Sequence, residues 1–202
     1  MIRNIVFDIS GVLADFRLME FLSEKGFDTA MCRRIIKTAV YSPYWEQFER
    51  GEITEEETLE GFARMDPEIR EELYKAFSDL HGMLIIREYA IPLVRQLKKA
   101  GYGVYYLSNY SKKAYDECGE SLAFMPYMDG GMVSFQIGKT KPSPAMFTQF
   151  LREYGLRAQE CIFVDDTAEN VETAAALGFI GLAFASYDQL IAAFREYGVE
   201  VR

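Results

Sequence analysis

The sequence is poor in the residues that staple small folds or build metal centres from sulfur and imidazole. It has three cysteines, Cys32, Cys118 and Cys161, far apart and in no CxxC pair. An odd, sparse count excludes a disulfide framework and predicts a reducing, cytoplasmic compartment. There is a single histidine, His81, so a clustered Cys/His zinc site is excluded. Catalysis by a Ser-His or Cys-His pair would have to run through that one residue, and an isolated histidine is more often structural. No apolar run approaches the ~20 residues of a membrane span. The short apolar run after Arg3 is broken by Asp8 and predicts no signal peptide. Basic residues are scarce, 22 against 31 acidic ones, for a net charge of -9. That balance argues against nucleic acid and against anionic membrane as partners. An anionic substrate must then be captured by local groups and not by the overall field.

What is present is ordinary globular material. Of the 202 residues, 50% are hydrophobic and 26% charged, as in soluble domains. A chain of this size buries roughly 70% of its unfolded surface and needs no staple. Its length suits one generous domain, or a medium domain with an insert.

The chain changes character twice. Ile5, Val6 and Phe7 form a continuous apolar run, as in a strand covered on both faces. Asp8 ends it and Gly11 marks a turn. From Phe16 to Leu84 apolar residues recur at helical spacing, as in Leu18, Phe21 and Leu22 and again in Leu59 and Phe62. Pro43, Gly51, Gly61 and Pro67 divide this stretch into several predicted helices. Strand–helix alternation then resumes. Strands are predicted at Val104 to Leu107, Met132 to Phe135, Cys161 to Val164 and Phe179 to Phe184. Helices are predicted at Tyr89 to Ala100, at Lys112 to Cys118, after Ser143 and Pro144, after Thr167, and at Tyr187 to Tyr197. Alternation of this kind implies an α/β fold with a mostly parallel sheet covered on both faces.

In such sheets ligands bind beyond the carboxyl ends of the strands. Asp8, the pair Ser108 and Asn109, and the pair Asp165 and Asp166 all fall at that edge, with Lys141 on a neighbouring loop. Three converging carboxylates repel one another unless a cation joins them. Oxygen ligands with room for water suit Mg²⁺. A phosphate completes the set, held by Lys141, the Ser108 hydroxyl and backbone amides. A carboxylate beside phosphorus can also act as a nucleophile and form an aspartyl-phosphate. Plainer roles compete: Asp8 as a turn residue, Ser108 as a helix cap, Lys141 as a solvated loop lysine, and the acidic pair at a helix N-terminus. In the helical stretch Tyr44, Trp45, Phe48 and Arg50 are candidates to face the substrate, although Trp45 and Phe48 also suit an apolar core. Glu55, Glu56 and Glu57 read as a solvated first turn behind Thr54.

Four ordered segments, FDISGVLAD, LSN, KTKPSPAMF and VDDTAENVETAAALG, resemble the motifs of the haloacid dehalogenase-like (HAD) hydrolase superfamily. The resemblance covers the whole chain. It implies a Rossmann-like, doubly wound core at 1–15 and 85–202, with a helical cap of the C1 type inserted at 16–84. The stretch WEQFERGEITEEE resembles the caps of bacterial sugar-phosphate phosphatases and of the epoxide-hydrolase N-terminal phosphatase group. By resemblance, Asp8 is the nucleophile and a Mg²⁺ ligand, and the Ser10 carbonyl is a second ligand. Ser108 and the Asn109 amide bind phosphate. Lys141 steadies Asp8 and the phosphoryl group. Asp166 binds Mg²⁺ directly and Asp165 directly or through water, while Asn170 orients the pair. Trp45 and Arg50, read from the helical stretch itself, are the further expected substrate contacts.

One position departs from the family pattern. Ser10 stands where the usual DxD motif has its second Asp, the general acid and base. The expectation is a Mg²⁺-dependent phosphatase acting on a small phosphorylated metabolite such as a sugar phosphate. The alternative, motivated by Ser10, is a non-catalytic phospho-ligand binder or regulatory protein on the same fold.

Overall fold

A computed structural model describes residues 1–201 of the chain. β1 (Asn4–Phe7) leads to β2 (Ala14–Phe16) and then to the helices α1 (Leu18–Glu24), α2 (Thr29–Val40), α3 (Pro43–Glu49), α4 (Glu55–Met65) and α5 (Arg70–Phe77). β3 (Leu84–Ile86) is followed by α6 (Ala90–Lys99), β4 (Gly103–Ser108), α7 (Lys112–Glu117), β5 (Gly130–Val133) and α8 (Ser134–Ile137). The last elements are α9 (Pro144–Glu153), β6 (Cys161–Asp165), α10 (Ala168–Ala176), β7 (Ile180–Ala183) and α11 (Tyr187–Glu196).

The main sheet has five parallel strands in the order β5-β4-β1-β6-β7. This is the Rossmann-like α/β core that the alternation predicts. The side chains of β1 go to opposite faces by the two-residue period of a strand. Ile5 and Phe7 join the apolar cluster that holds Leu93, Leu97, Leu190 and Phe194 of α6 and α11, with the Phe7 and Phe194 rings 6.4 Å apart. Val6 joins the opposite cluster, with Phe147 and Phe150 of α9 and Ala174 of α10. There the Phe147, Phe163 and Phe179 rings meet edge to face at 5.2–6.2 Å.

Register carries the polar residues to one edge. Phe7 lies opposite Tyr106 on β4 and Val164 on β6. Asp8 is therefore level with Leu107 and Asp165, and Ser108 lies one residue further on. The Asp8 amide still donates to the Val164 carbonyl at 2.8 Å, so the chain is fixed up to the carboxylate.

A second, two-stranded sheet pairs β2 with β3, Phe16 opposite Leu84 and Ala14 opposite Ile86. The five helices α1 to α5 thus leave and re-enter the chain through two adjacent antiparallel strands. α4 starts with a capping box: the Glu57 amide donates to the Thr54 hydroxyl, and the Thr54 amide donates to the Glu57 carboxylate.

Some local expectations are corrected. Gly61 does not end a helix but lies inside α4, where the Tyr44 ring rests on it; a Cβ there would stand 2.4 Å from that ring. The strand expected at Met132 to Phe135 is shifted to Gly130–Val133, and Ser134 begins a short helix instead. Ser143 and Thr167 stand at helix N-caps without making a side-chain capping bond.

Candidate active site

Asp8 is buried at the end of β1 and receives several hydrogen bonds on one oxygen. The Ser108 hydroxyl donates to Oδ1 at 2.6 Å and the Ile9 amide at 2.7 Å, while Lys141 Nζ lies 2.9 Å away. The Lys141 ammonium also donates to Asp165 Oδ2 at 2.6 Å. Asp165 is fully buried at the end of β6. It accepts from the Thr167 amide at 2.8 Å and from Asn170 Nδ2 at 3.1 Å on both oxygens. Asp166, the next residue, is exposed. Gly11 makes room for it: φ is +79°, and a Cβ would stand 1.9 Å from Asp166 Oδ2.

The charges do not balance. Carboxylate oxygens of Asp8, Asp165 and Asp166 lie within 4.8 Å of one another, and among the described residues Lys141 is the one ammonium bonded into the group. The Asp8 carboxyl is pushed up to about 6: burial raises it most, Lys141 lowers it, and Asp165 raises it again. Asp166 is likewise raised by burial and by Asp165. Burial alone would lower Lys141, but its two carboxylate partners hold it above the ordinary range. An all-oxygen donor set with surplus negative charge, beside a turn that only glycine allows, fits a hard divalent cation such as Mg²⁺.

The group opens into a cavity of about 430 Å³ between the sheet edge and the helices α3 to α5. Asp8, Ser10, Ser108, Asn109, Lys141 and Asp166 form its floor, and Trp45, Phe48, Phe62, Phe77, Leu80 and Met83 line its far end. Trp45 stacks on Phe62 at 6.3 Å and meets Phe77 edge-on at 5.9 Å. Polar pairs punctuate the rest of the wall: Arg87 with Asp15 at 2.7 Å and Lys113 with Glu55 at 2.8 Å.

A family model for haloacid dehalogenase-like hydrolases matches residues 2–178. The chain belongs to that family. A sesquiterpene phosphatase of Aspergillus oryzae is 30% identical over 177 residues, covering 88% of this chain and 87% of that protein. A D-ribitol-5-phosphate phosphatase of Bacteroides thetaiotaomicron is 26% identical over 192 residues, covering 89% and 90%. Among solved structures, a HAD family enzyme from Bacteroides thetaiotaomicron, in complex with magnesium and inorganic phosphate, superposes with a TM-score of 0.70 at 23% identity, covering 94% of this chain and 99% of that one.

Within this HAD-like hydrolase the expected site residues divide into distinct positions. Asp8, Ser10, Ser108, Asn109, Lys141 and Asp166 share the cavity floor, and Asp165 lies behind it. Asn109 braces the Lys141 backbone from both sides: its Nδ2 donates to the Lys141 carbonyl at 3.0 Å, and its Oδ1 accepts from the Lys141 amide at 2.8 Å. Trp45 is both packed in the helical layer and part of the cavity wall. Arg50 is a correction. It is not in that wall; Glu46 at 2.7 Å and Glu52 at 2.8 Å hold its guanidinium at the end of α3. Tyr44 is also absent from the wall, because it packs on Gly61. His81 lies in an exposed turn with Asp79, 2.6 Å from its Nδ1. The residue that sequence reasoning missed is Glu49. Trp45, Phe48 and Glu49 stand at i, i+3 and i+4, so one face of α3 presents all of them to the cavity. That spacing was the available signal.

Proposed function

We propose that this chain is a Mg²⁺-dependent phosphatase that forms an aspartyl-phosphate on Asp8. The observation that carries the reading is the buried Asp8–Lys141–Asp165 ion group, open on one side to the cavity and flanked by Asp166. Asp8, Asp166 and the Ser10 carbonyl would hold the cation, with Asp165 kept behind them by its bonds to Lys141, Thr167 and Asn170. When bound, Mg²⁺ supplies positive charge that lets carboxylates and phosphoryl oxygens approach one another.

The chain's own residues supply the rest. Lys141 and the Ser108 hydroxyl keep Asp8 ionised and fix its rotamer, so a free carboxylate oxygen faces the incoming phosphorus. Lys141 then offsets charge on the transferring phosphoryl oxygens, and the Ser108 hydroxyl can donate to one of them. Water enters only in the second step, to hydrolyse the acyl-phosphate.

The cavity wall favours an ester of a largely apolar alcohol over a sugar phosphate. Burying an aromatic or aliphatic group against Trp45, Phe62 and Phe77 is favourable by about 25 cal/mol per Å², whereas a hydroxyl set against those rings would lose water without gaining a partner. The name of the Aspergillus relative points the same way. The buried thiols of Cys32, Cys118 and Cys161 support a cytoplasmic setting.

Phosphate release from a panel of monoesters, sugar phosphates beside prenyl and arylalkyl phosphates, tests the reading. Turnover is expected with Mg²⁺, lost with a chelator, and lost in Asp8→Asn. Wild-type rates in Asp8→Asn would overturn the nucleophile assignment. No turnover on any ester would favour the non-catalytic binder.

A further inference from the structure

Ser10 leaves a gap in the chemistry just described. The leaving oxygen must gain a proton, and the attacking water must lose one. A serine hydroxyl does not titrate near neutral pH. Another group in the same cavity has to do this work, or the reaction is limited to alcohols that leave unaided.

The carboxylates that line the cavity outside the Asp8 group are Asp15, Glu49 and Glu55. Asp15 is held by Arg87 and Glu55 by Lys113. Glu49 has no ion pair among the described residues, and it sits at the end of α3 where the helical layer meets the sheet edge. Its backbone is pinned to the core there. The fully buried Ser134 hydroxyl donates to the Glu49 carbonyl at 2.5 Å and accepts from the Tyr110 amide at 2.8 Å. Tyr110 is two residues from Ser108. One turn back on α3, the Glu46 carboxylate accepts from the Thr140 hydroxyl at 3.0 Å, next to Lys141. Gly51, with φ +67°, then turns the chain so closely over Phe135 that a Cβ would lie 3.1 Å from its carbonyl oxygen.

We propose that Glu49 is the general acid and base of this enzyme, in place of the missing aspartate at Ser10. The inference rests on the phosphatase reading above. In the first step an Asp8 oxygen bonds to phosphorus and the P–O bond to the alcohol breaks. The bond's electron pair stays on the alcohol oxygen, which takes the Glu49 proton. In the second step water bonds to the same phosphorus and gives its proton to Glu49. The P–O bond to Asp8 breaks, its pair returns to the carboxylate, and phosphate leaves. Each turnover restores Glu49 to the acid form, and no further reactant is needed.

The surroundings suit the task. The Glu49 carboxyl is pushed up to about 7: enclosure raises it most, Trp45 and Lys141 lower it, and Asp8 and Glu46 raise it. A group that titrates near neutrality can give and take a proton in the same cycle.

Glu49→Gln removes the proton at nearly constant shape. The test compares wild type, Glu49→Gln and Glu49→Asp with saturating Mg²⁺ on a p-nitrophenyl and an arylalkyl phosphate. In Glu49→Gln, kcat/KM on the arylalkyl ester is expected to fall ~10²–10³-fold and to lose its alkaline limb. The p-nitrophenolate burst should persist at a rate close to wild type, with phosphoenzyme accumulating behind it. Glu49→Asp should recover part of the loss and keep the limb. If Glu49→Gln holds the wild-type rate and pH profile on the arylalkyl ester while Asp8→Asn is inert, the Glu49 role is overturned and the phosphatase reading stands. If the wild type cleaves neither ester, both fail.

Discussion

Lys141 and Glu49 illustrate opposite fates of a charge taken out of water. The ammonium of Lys141 meets two carboxylates at 2.6–2.9 Å and stays charged. Glu49 has no such partner among the described residues, and its carboxyl shifts toward the neutral form. The sign of the resulting pH dependence follows from linkage. Below pH 4.5, the ordinary value for this carboxyl, folded and unfolded chains both hold its proton, and it contributes nothing. Between there and about 7 the unfolded chain releases the proton while the folded one keeps it, so stability falls as pH rises. Above that range the full cost is present. Glu49→Gln should therefore leave metal-free stability unchanged at pH 4 and raise it by about 1–3 kcal/mol at pH 8. Urea unfolding in a chelator at both pH values measures this; equal effects at the two would refute it.

At the scale of elements, the sequence was most readable where chemistry and periodicity coincide. β1 reads as NIVF followed at once by Asp8, and the ends of β4 and β6 are marked in the same way by Ser108 and Asp165. Parallel register then brings these ends together with no further information. Elements without an apolar period were not legible. β2 and β3 are three residues each and pair mainly with each other. β5 begins with Gly130 and Gly131, whose value lies in what they omit: a Cβ on Gly131 would stand 2.3 Å from the Tyr106 ring on β4. Glu49 was hidden among neighbouring acids, and Arg50 stood out only because nothing in the sequence shows Glu46 and Glu52 closing on it. The close approach of Gly131 to the Tyr106 ring can be tested by substitution. Gly131→Ala must push aside the half-buried Tyr106 ring, met at its root at 2.3–2.4 Å, so we expect a loss of ~1–3 kcal/mol by urea unfolding. A neutral result would mean that the strand tolerates a side chain there.

Across the whole molecule, the helical layer and the sheet edge are joined at a few polar points around the cavity. They include the Ser134 hydroxyl with the Glu49 carbonyl, Thr140 with Glu46, and Lys113 with Glu55. Ser134 matters most, because one buried hydroxyl serves backbone groups from both sides, the Glu49 carbonyl and the Tyr110 amide and carbonyl. Ser134→Ala strands them, at a cost of about 1–3 kcal/mol. It should lower kcat/KM on an arylalkyl phosphate while leaving Mg²⁺ affinity, read by calorimetry, as in the wild type. A change in Mg²⁺ affinity with unaltered kcat/KM would place the contribution of Ser134 at the carboxylate cluster instead.

The aromatic wall has an optical consequence. The sequence contains one tryptophan, and it is Trp45, whose indole is stacked on Phe62 in the wall of the chamber. With excitation at a wavelength that tyrosines do not absorb, all emission comes from that single indole. Its colour and intensity follow the polarity of its surroundings, so an apolar guest that displaces water from the chamber should shift the emission to the blue, whereas one that stays outside should leave it unchanged. The protein therefore carries its own gauge of occupancy in the wall of the chamber, and ligands can be screened without a label, a coupled assay or turnover.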